Sequence, residues 1–387
     1  MTKDDLNDEI EQMGSRKKKP SHTGRWIFFF FLLLLCFIVG GGILLINQYL
    51  NRIDRIDPET QTTLSPEDAA KLLSSDGDAQ TGENTQADVR EVTVDPNESY
   101  MAEINGETKV VSGNEINSHP EYTVVGQFDW VKAEPLNDSD LINIMLIGDD
   151  SRNDGKVSRS DSMILISVNP KTHKIAMISF MRDLYLPIHD GYEDSRLNHA
   201  YEAGGLSFLY TCLENNFGLH IDGSVIVTFW QFAKIVDILG GVDIQLTAAE
   251  VNYLQTVGVV TDYTGNSLAP LSGLTEGWNH LDGNTALAYC RIRKIDDDFH
   301  RTARQRTVMT ALFNKVKTAD ISTLNEMLKT LLSMCTTDLD NGDIWNYASK
   351  ILPYLGSSSL SSYRIPCDGS YRGIYIRGMS VVQAVQS

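Results

Sequence analysis

Leu141-Ile142-Asn143-Ile144-Met145-Leu146-Ile147, closing on Gly148, is the stretch on which the reading of this chain turns. An apolar run of that length, bounded by a glycine, predicts a strand buried on both faces. Two more runs follow. Ser162-Met163-Ile164-Leu165-Ile166-Ser167-Val168 predicts a second strand, stopped by the Asn169-Pro170 turn, and Ile175-Ala176-Met177-Ile178-Ser179-Phe180 a third. Beyond them, residues 206–217 and 229–239 read as helices. Gly240-Gly241 ends the second, and Val242-Asp243-Ile244 starts another strand. Helical patterns recur at 282–290, 299–317, 322–334 and 342–353, and Ser362-Tyr363-Arg364-Ile365-Pro366 reads as a late strand. Strands interleaved with helices predict an α/β fold, layered α/β/α around a central mixed sheet. Residues 140–387 are long enough to close one such domain around its own core.

The remaining composition bounds the function. Of 387 residues, 42% are apolar and 22% charged, which excludes a wholly disordered or fibrous chain. A net charge of −18 excludes a dedicated nucleic-acid binder, which would carry a basic footprint. Trp26 to Ile46 carries no charge. As a helix it would span about 31 Å, the thickness of a bilayer core. Arg16, Lys17, Lys18, Lys19 and Arg25 precede it and mixed charges follow, so the positive-inside rule puts residues 1–25 in the cytoplasm. No small-residue cleavage site follows, so residues 26–46 are expected to be an uncleaved transmembrane helix. The expected protein is a single-pass type II protein of the cell membrane, with residues 140–387 on the extracellular face. A 25-residue tail with one net positive charge is too small for a folded DNA-binding module. Residues 47–97 are polar and acidic and read as a disordered stalk, and 98–139 as a lead-in with short strand-like stretches. Five cysteines are too few for a disulfide scaffold. Cys36 falls in the anchor. Cys212, Cys290, Cys335 and Cys367 permit three pairings, with Cys335–Cys367, nearest the C-terminus, the expected one.

Charged residues gather where the first three strands end. These are Asp149-Asp150-Ser151-Arg152, Arg159-Ser160-Asp161 and Arg182-Asp183. One such pair alone is ordinary loop charge, but three at consecutive strand ends point to a ligand site. Arginine forks grip phosphate oxygens, and paired carboxylates hold a hard cation that shares them. A second cluster, residues 286–306, holds Arg291, Arg293, Lys294, Arg301, Arg304 and Arg306 in an otherwise acidic protein. Arg291 and Arg293 share a face if extended, and Asp298, Arg301 and Gln305 share one on a helix. Asp297 or Asp298 can cap that helix. The apolar stretch Ser224–Leu239 reads most simply as core. No phosphate loop, H-E-x-x-H or G-x-S-x-G motif occurs, and no histidine frames Ser151 or Ser160 as a covalent nucleophile.

In order, these motifs resemble the LytR–CpsA–Psr family over residues 140–318, with a tail to 387. The matching stretches are Leu146–Arg152, Arg159–Met163, Ser179–Asp183, Arg196–Gly205, Val236–Val242, Leu281–Leu287, Arg291–Arg293 and Arg301–Arg306. The resemblance implies a phosphotransferase that takes a glycan from a polyprenyl-pyrophosphate carrier. It joins that glycan by a phosphodiester to the 6-hydroxyl of N-acetylmuramic acid in peptidoglycan. It also implies a groove for the prenyl chain and magnesium, or manganese with its similar oxygen ligands, at the pyrophosphate. By motif, Asp150 and Asp161 match the metal carboxylates, although Asp149 competes with Asp150. Arg159, Arg182, Arg291, Arg293, Arg301 and Gln305 match the pyrophosphate site. Asp298 is the expected orienter or base for the acceptor hydroxyl, with Arg182, Arg291 and Arg293 stabilising the transferring phosphate. Two rival readings share these residues: a polyprenyl-pyrophosphate hydrolase and a membrane-bound binder or attenuator without catalysis.

Overall fold

The computed structural model describes residues 141–149, 160–188, 194–256, 271–320 and 335–376, most of 47–74, and shorter stretches elsewhere. Residues 1–46, 75–98, 150–159, 257–270 and 327–334 lie outside the described set, and so does the anchor expected at 26–46. Among the described residues no helix is long and apolar enough to cross a membrane. Residues 1–51 form one unit and residues 52–387 another. Of the first, only a helical turn is described, with the amide of Asn51 bonded to the carbonyl of Asn47.

The larger unit begins with β1 (Asp54–Arg55) and α1 (Pro66–Ser74). Next come β2 (Ser99–Ile104), β3 (Glu107–Ser112) and β4 (Thr123–Gly126), a small antiparallel sheet in the order β3-β2-β4. The three strands expected from the apolar runs are β5 (Ile142–Asp149), β6 (Ser160–Asn169) and β7 (Lys174–Phe180). The short pair β8 (Tyr185–Leu186) and β9 (Ser195–Arg196) leads into α2 (Leu197–Phe217). Then follow β10 (Gly223–Thr228), α3 (Phe229–Ile238), β11 (Val242–Leu246), α4 (Ala248–Thr256) and β12 (Gly277–Leu281). Last are α5 (Gly283–Cys290), α6 (Asp298–Thr318), β13 (Thr336–Thr337), α7 (Asn341–Ile351), β14 (Ser359–Ile365), β15 (Tyr371–Ile376) and β16 (Met379–Ala384).

The central sheet runs β1-β13-β10-β5-β6-β7-β14. It is mixed, as expected. β5 pairs antiparallel with β6 and parallel with β10, and β7 pairs parallel with β14. Alternate side chains leave a strand on opposite faces, which divides the apolar runs between a core on one face and a covered, half-buried surface on the other. Met145, Met163 and Leu165 pack with Leu73 of α1 and Tyr201, Leu209 and Leu213 of α2. The other face meets α3, α5 and α6. There Val236, Leu281, Leu287, Ile292 and Val308 form a second cluster. The layers α1/α2, sheet and α3/α5/α6 make the α/β/α sandwich.

Several elements depart from the sequence reading. The stretch read as a disordered stalk is folded in part. β1 extends the sheet beside β13, and α1 buries Ala69 and Leu73. Its polar composition concealed one apolar stripe of three residues, Ala69, Leu72 and Leu73. α2 starts nine residues earlier than expected. Gly204 and Gly205 take non-helical angles, with φ at −133° and +61°, so a helical pattern breaks across a kink that the helix survives. The run from Ser224 contains a strand, β10, divided from α3 by the capping Thr228. The helix expected at 322–334 falls largely outside the described residues. The pairing expected between Cys335 and Cys367 is absent. All four described cysteines are free thiols, with Cys335 half-buried and the exposed Cys367 Sγ 3.0 Å from Ser370 Oγ.

Candidate functional site

Between the sheet and its covering helices lies an apolar cavity of about 240 Å³. Leu146 of β5, Ile164 of β6 and Val225 and Val227 of β10 form its floor, and Phe232, Ile235, Leu287, Met309 and Leu312 its roof. α3 and α5 approach closely there: a Cβ on Gly283 would fall 1.9 Å from the carbonyl oxygen of Ala233. The same cavity is lined by Asp161, Arg291, Arg293, Arg301 and Gln305. An apolar space that meets a cluster of cations is a container for an amphiphile with an anionic head.

Asp161, on the second residue of β6, joins the two basic clusters. Arg182 Nη1 donates to its Oδ1 at 2.9 Å, and Arg293 Nη2 donates to Oδ1 at 3.2 Å and Oδ2 at 3.0 Å. Arg301 Nη1 is 3.9 Å from Oδ1. Burial pushes this carboxyl up, but Arg301, Arg182 and Arg293 outweigh it and hold the group below its ordinary value. Arg182 also pairs with Asp183 at 3.3 Å and Asp298 at 3.8 Å. Burial opposes its charge, yet Asp183, Asp298 and Asp161 together hold its pKa above the usual arginine value. Arg291 stacks its guanidinium 4.3 Å from the centre of the Phe229 ring.

Asp298 opens α6 behind the cap of Asp297, whose side chain accepts from the His300 amide. Arg301 Nη2 lies 2.6 Å from Asp298 Oδ1. Burial moves the two pKa values towards each other, since it disfavours both charged forms. The Asp298 carboxyl is raised by burial against the opposing pull of Arg301 and Arg182. Arg301 is pushed down by burial to about 10, against the pull of Asp298, and stays protonated at neutral pH. Their mutual attraction therefore leaves desolvation incompletely repaid. Hydrogen bonding agrees with that. Asp298 Oδ2 and Arg301 Nε and Nη1 are buried without a hydrogen-bond partner among the described residues. Unused donors beside a cavity are open positions for an anion's oxygens, and an unused carboxylate lone pair is one for a hydroxyl proton.

Arg182, Arg196, Arg291, Arg293 and Arg301 stand against Asp161, Asp183 and Asp298, an excess of two positive charges inside an acidic protein. Sequence reasoning grouped Asp183 with Arg182 at a strand end without giving it a role, and did not place Arg196 in this site. Arg196 Nη1 lies 3.6 Å from Asp183, and its Nη2 lies 2.7 Å from His199 Nε2. Arginine only donates, so Nε2 accepts. The neutral ring of His199 then carries its proton on Nδ1, 3.0 Å from Ser195 Oγ. The buried His199 is thus a satisfied structural histidine. No local spacing links Ser195, Arg196 and His199 to Arg182; the β8–β9 pairing and the Asn198 amide on the Arg182 carbonyl bring them together.

Asp150 and Arg159 lie outside the described residues. Asp149 is buried and bonded by the Tyr201 hydroxyl. Among the described residues no group of three or more His, Cys, Asp or Glu is placed to hold a metal. Asp161 alone offers a partial fit. Its oxygens present about four lone-pair positions, and the arginines take three. One carboxylate position remains, of the donor type that magnesium or manganese accepts.

Comparison with known proteins places this geometry among relatives. The chain is 32% identical over 220 residues to the polyisoprenyl-teichoic acid–peptidoglycan teichoic acid transferase TagU of Bacillus licheniformis, a match covering 56% of this chain and 66% of that one. TagU of Bacillus subtilis matches at 32% over 221 residues, with the same coverage. The chain thus spans just under two thirds of those relatives. A solved structure of TagT bound to LI-WTA superposes with a TM-score of 0.50 at 26% identity, over 66% of this chain and 89% of the other. Residues 99–387 match the LytR_cpsA_psr family, a span that takes in the small β2–β4 sheet and every described side chain of the cavity. The chain belongs to the LytR–CpsA–Psr family.

Proposed function

We propose that this protein is a glycopolymer transferase of the cell wall. In this reading it moves a glycan phosphate from a polyprenyl-pyrophosphate carrier to the 6-hydroxyl of N-acetylmuramic acid in peptidoglycan, leaving a phosphodiester. The observation that carries the reading is the apolar cavity lined at one end by Arg291, Arg293 and Arg301. The prenyl chain occupies the cavity and the pyrophosphate meets the arginines. The relatives named as teichoic acid transferases support the same class of reaction.

The chemistry follows from the residues. Phosphoryl transfer needs little covalent help from protein; it needs positioning and neutralisation of charge on the transferring oxygens and leaving phosphate. The open Nε and Nη1 donors of Arg301 are preorganised for that, and so is Arg293, exposed beside Asp161. A sugar hydroxyl is a weak nucleophile. Asp298 Oδ2, buried and unbonded, receives its proton, and the raised pKa makes this carboxylate a better base. Magnesium or manganese, held by Asp161 with Asp150, would add Lewis-acid neutralisation of the pyrophosphate. Gln305 and Arg159 complete the proposed headgroup site, and residues 26–46 hold the domain at the outer face of the membrane.

The test uses the full chain in detergent with a polyprenyl-pyrophosphate-linked saccharide, peptidoglycan oligomers and magnesium. Mass spectrometry is expected to find a phosphodiester-linked adduct that a chelator and Arg291→Ala both abolish. Release of lipid phosphate with free saccharide phosphate, and no adduct, would replace the transferase with a hydrolase. Lipid binding without turnover would leave a binder.

A further inference from the structure

Arg304 is not among the residues that line the cavity, yet all three of its guanidinium nitrogens are hydrogen-bonded. It is 5% exposed. Its Nε donates to Glu250 Oε1 of α4 at 2.7 Å. Its two terminal nitrogens form a fork on both oxygens of Asp296, and Nη1 also lies 3.4 Å from the carbonyl oxygen of Ile292. Glu250 is fixed in turn: its Oε2 accepts from the amide and hydroxyl of Thr247 at 2.9 and 3.0 Å.

These contacts converge on one segment. Residues 291–297 join α5 to α6 without forming a helix or strand, and they carry Arg291 and Arg293. Ile292 is fully buried, but Arg293 is exposed and its long side chain must be aimed at Asp161. Arg304 holds the segment at both ends, by the carbonyl of Ile292 and the carboxylate of Asp296. It sits on the same helix as Arg301 and Gln305, which face the cavity. One helix therefore presents two headgroup residues and braces the segment that presents two more.

We propose that Arg304 is a positioning residue for the anion site: it sets Arg291 and Arg293 against the cavity by clamping residues 291–297 to α4 and α6. The proposal rests on the reading of the cavity as a polyprenyl-pyrophosphate site. Lysine keeps the charge but cannot reproduce the fork and the Glu250 contact together. Its effect falls on the phosphates and not on the hydrocarbon.

The experiment measures binding of geranylgeranyl pyrophosphate and of geranylgeraniol, the uncharged alcohol, to the full chain in detergent. Arg304→Lys is expected to weaken the pyrophosphate by about tenfold, leave the alcohol within about twofold, and add less than that in an Arg293→Ala background, where only Arg291 remains to be positioned. Should Arg304→Lys fail to fold, Asp296→Asn breaks the same fork from the other side and carries the same expectation. Equal weakening of both ligands, no weakening, or full additivity with Arg293→Ala would overturn the positioning role alone. A wild-type protein that does not prefer the pyrophosphate to the alcohol would overturn the cavity reading and this proposal with it.

Discussion

Leu73→Ala tests whether the segment ahead of the small sheet belongs to the fold. Leu73 is fully buried on α1, against the face of the central sheet opposite the cavity. Truncation removes three carbons. At about 0.8 kcal/mol per buried methylene the transfer loss is about 2.4 kcal/mol, and the space left behind raises the total to about 3 kcal/mol. For a domain of this size that lowers the melting temperature by roughly 6–12 °C. The assay is urea unfolding of the purified chain followed by tryptophan fluorescence, with a thermal melt alongside. Leu352→Ala, at a site 63% exposed, is the control and should fall within about 0.5 kcal/mol of wild type. A Leu73→Ala change as small as the control's would mean that α1 does not dock, and that residues 66–74 are stalk after all.

Other expectations concern the site and the thiols. Asp298→Asn should slow adduct formation by about 100-fold or more while leaving carrier binding intact; turnover within about threefold of wild type would remove Asp298 as the base. Asp161 has a pKa lowered by its arginines, so its pairing stabilises the fold above the ordinary value of 3.8 and loses that contribution as pH falls through the lowered one. The melting-temperature gap between wild type and Asp161→Asn should therefore be constant near neutrality and close below pH 3.8; a gap that widens on acidification contradicts the assignment. Native protein treated with a maleimide should label Cys367 first. Cys212 and Cys290 should resist until unfolding, since burial pushes both thiols up to about 12. A Cys335–Cys367 crosslink in tryptic peptides would refute the free-thiol assignment.

The parts of the fold legible in the sequence share a physical cause. β5, β6 and β7 face a core on one side and the covered cavity side on the other, so their apolar runs are unbroken and announce themselves. α5 and α6 show their ends through Asp282 and Asp297, whose side chains accept from amides three residues on. What was hidden lacked contrast. β10 shares an apolar run with α3, and α1 has one short stripe in a polar segment. The arginines of the site were legible because they cluster in an acidic chain. Asp183 and Arg304 lay within those clusters, but their roles, like that of Arg196, were hidden because each works through partners that only the tertiary structure supplies. Glu250 lies 54 residues from Arg304, a pairing no local pattern encodes.

The lining of the cavity has a consequence for selectivity. Its walls offer hydrocarbon to hydrocarbon, and its charged end offers guanidinium to phosphate. On the proposed polyprenyl-pyrophosphate reading, surfaces of that kind gauge the girth of a tail and the charge of a head, and they are indifferent to cargo beyond the second phosphate. Polymers riding on the same lipid would then compete for the protein as equals at this step. The choice among them would fall to supply, to whichever assembly line loads the carrier fastest, and not to recognition by the container itself.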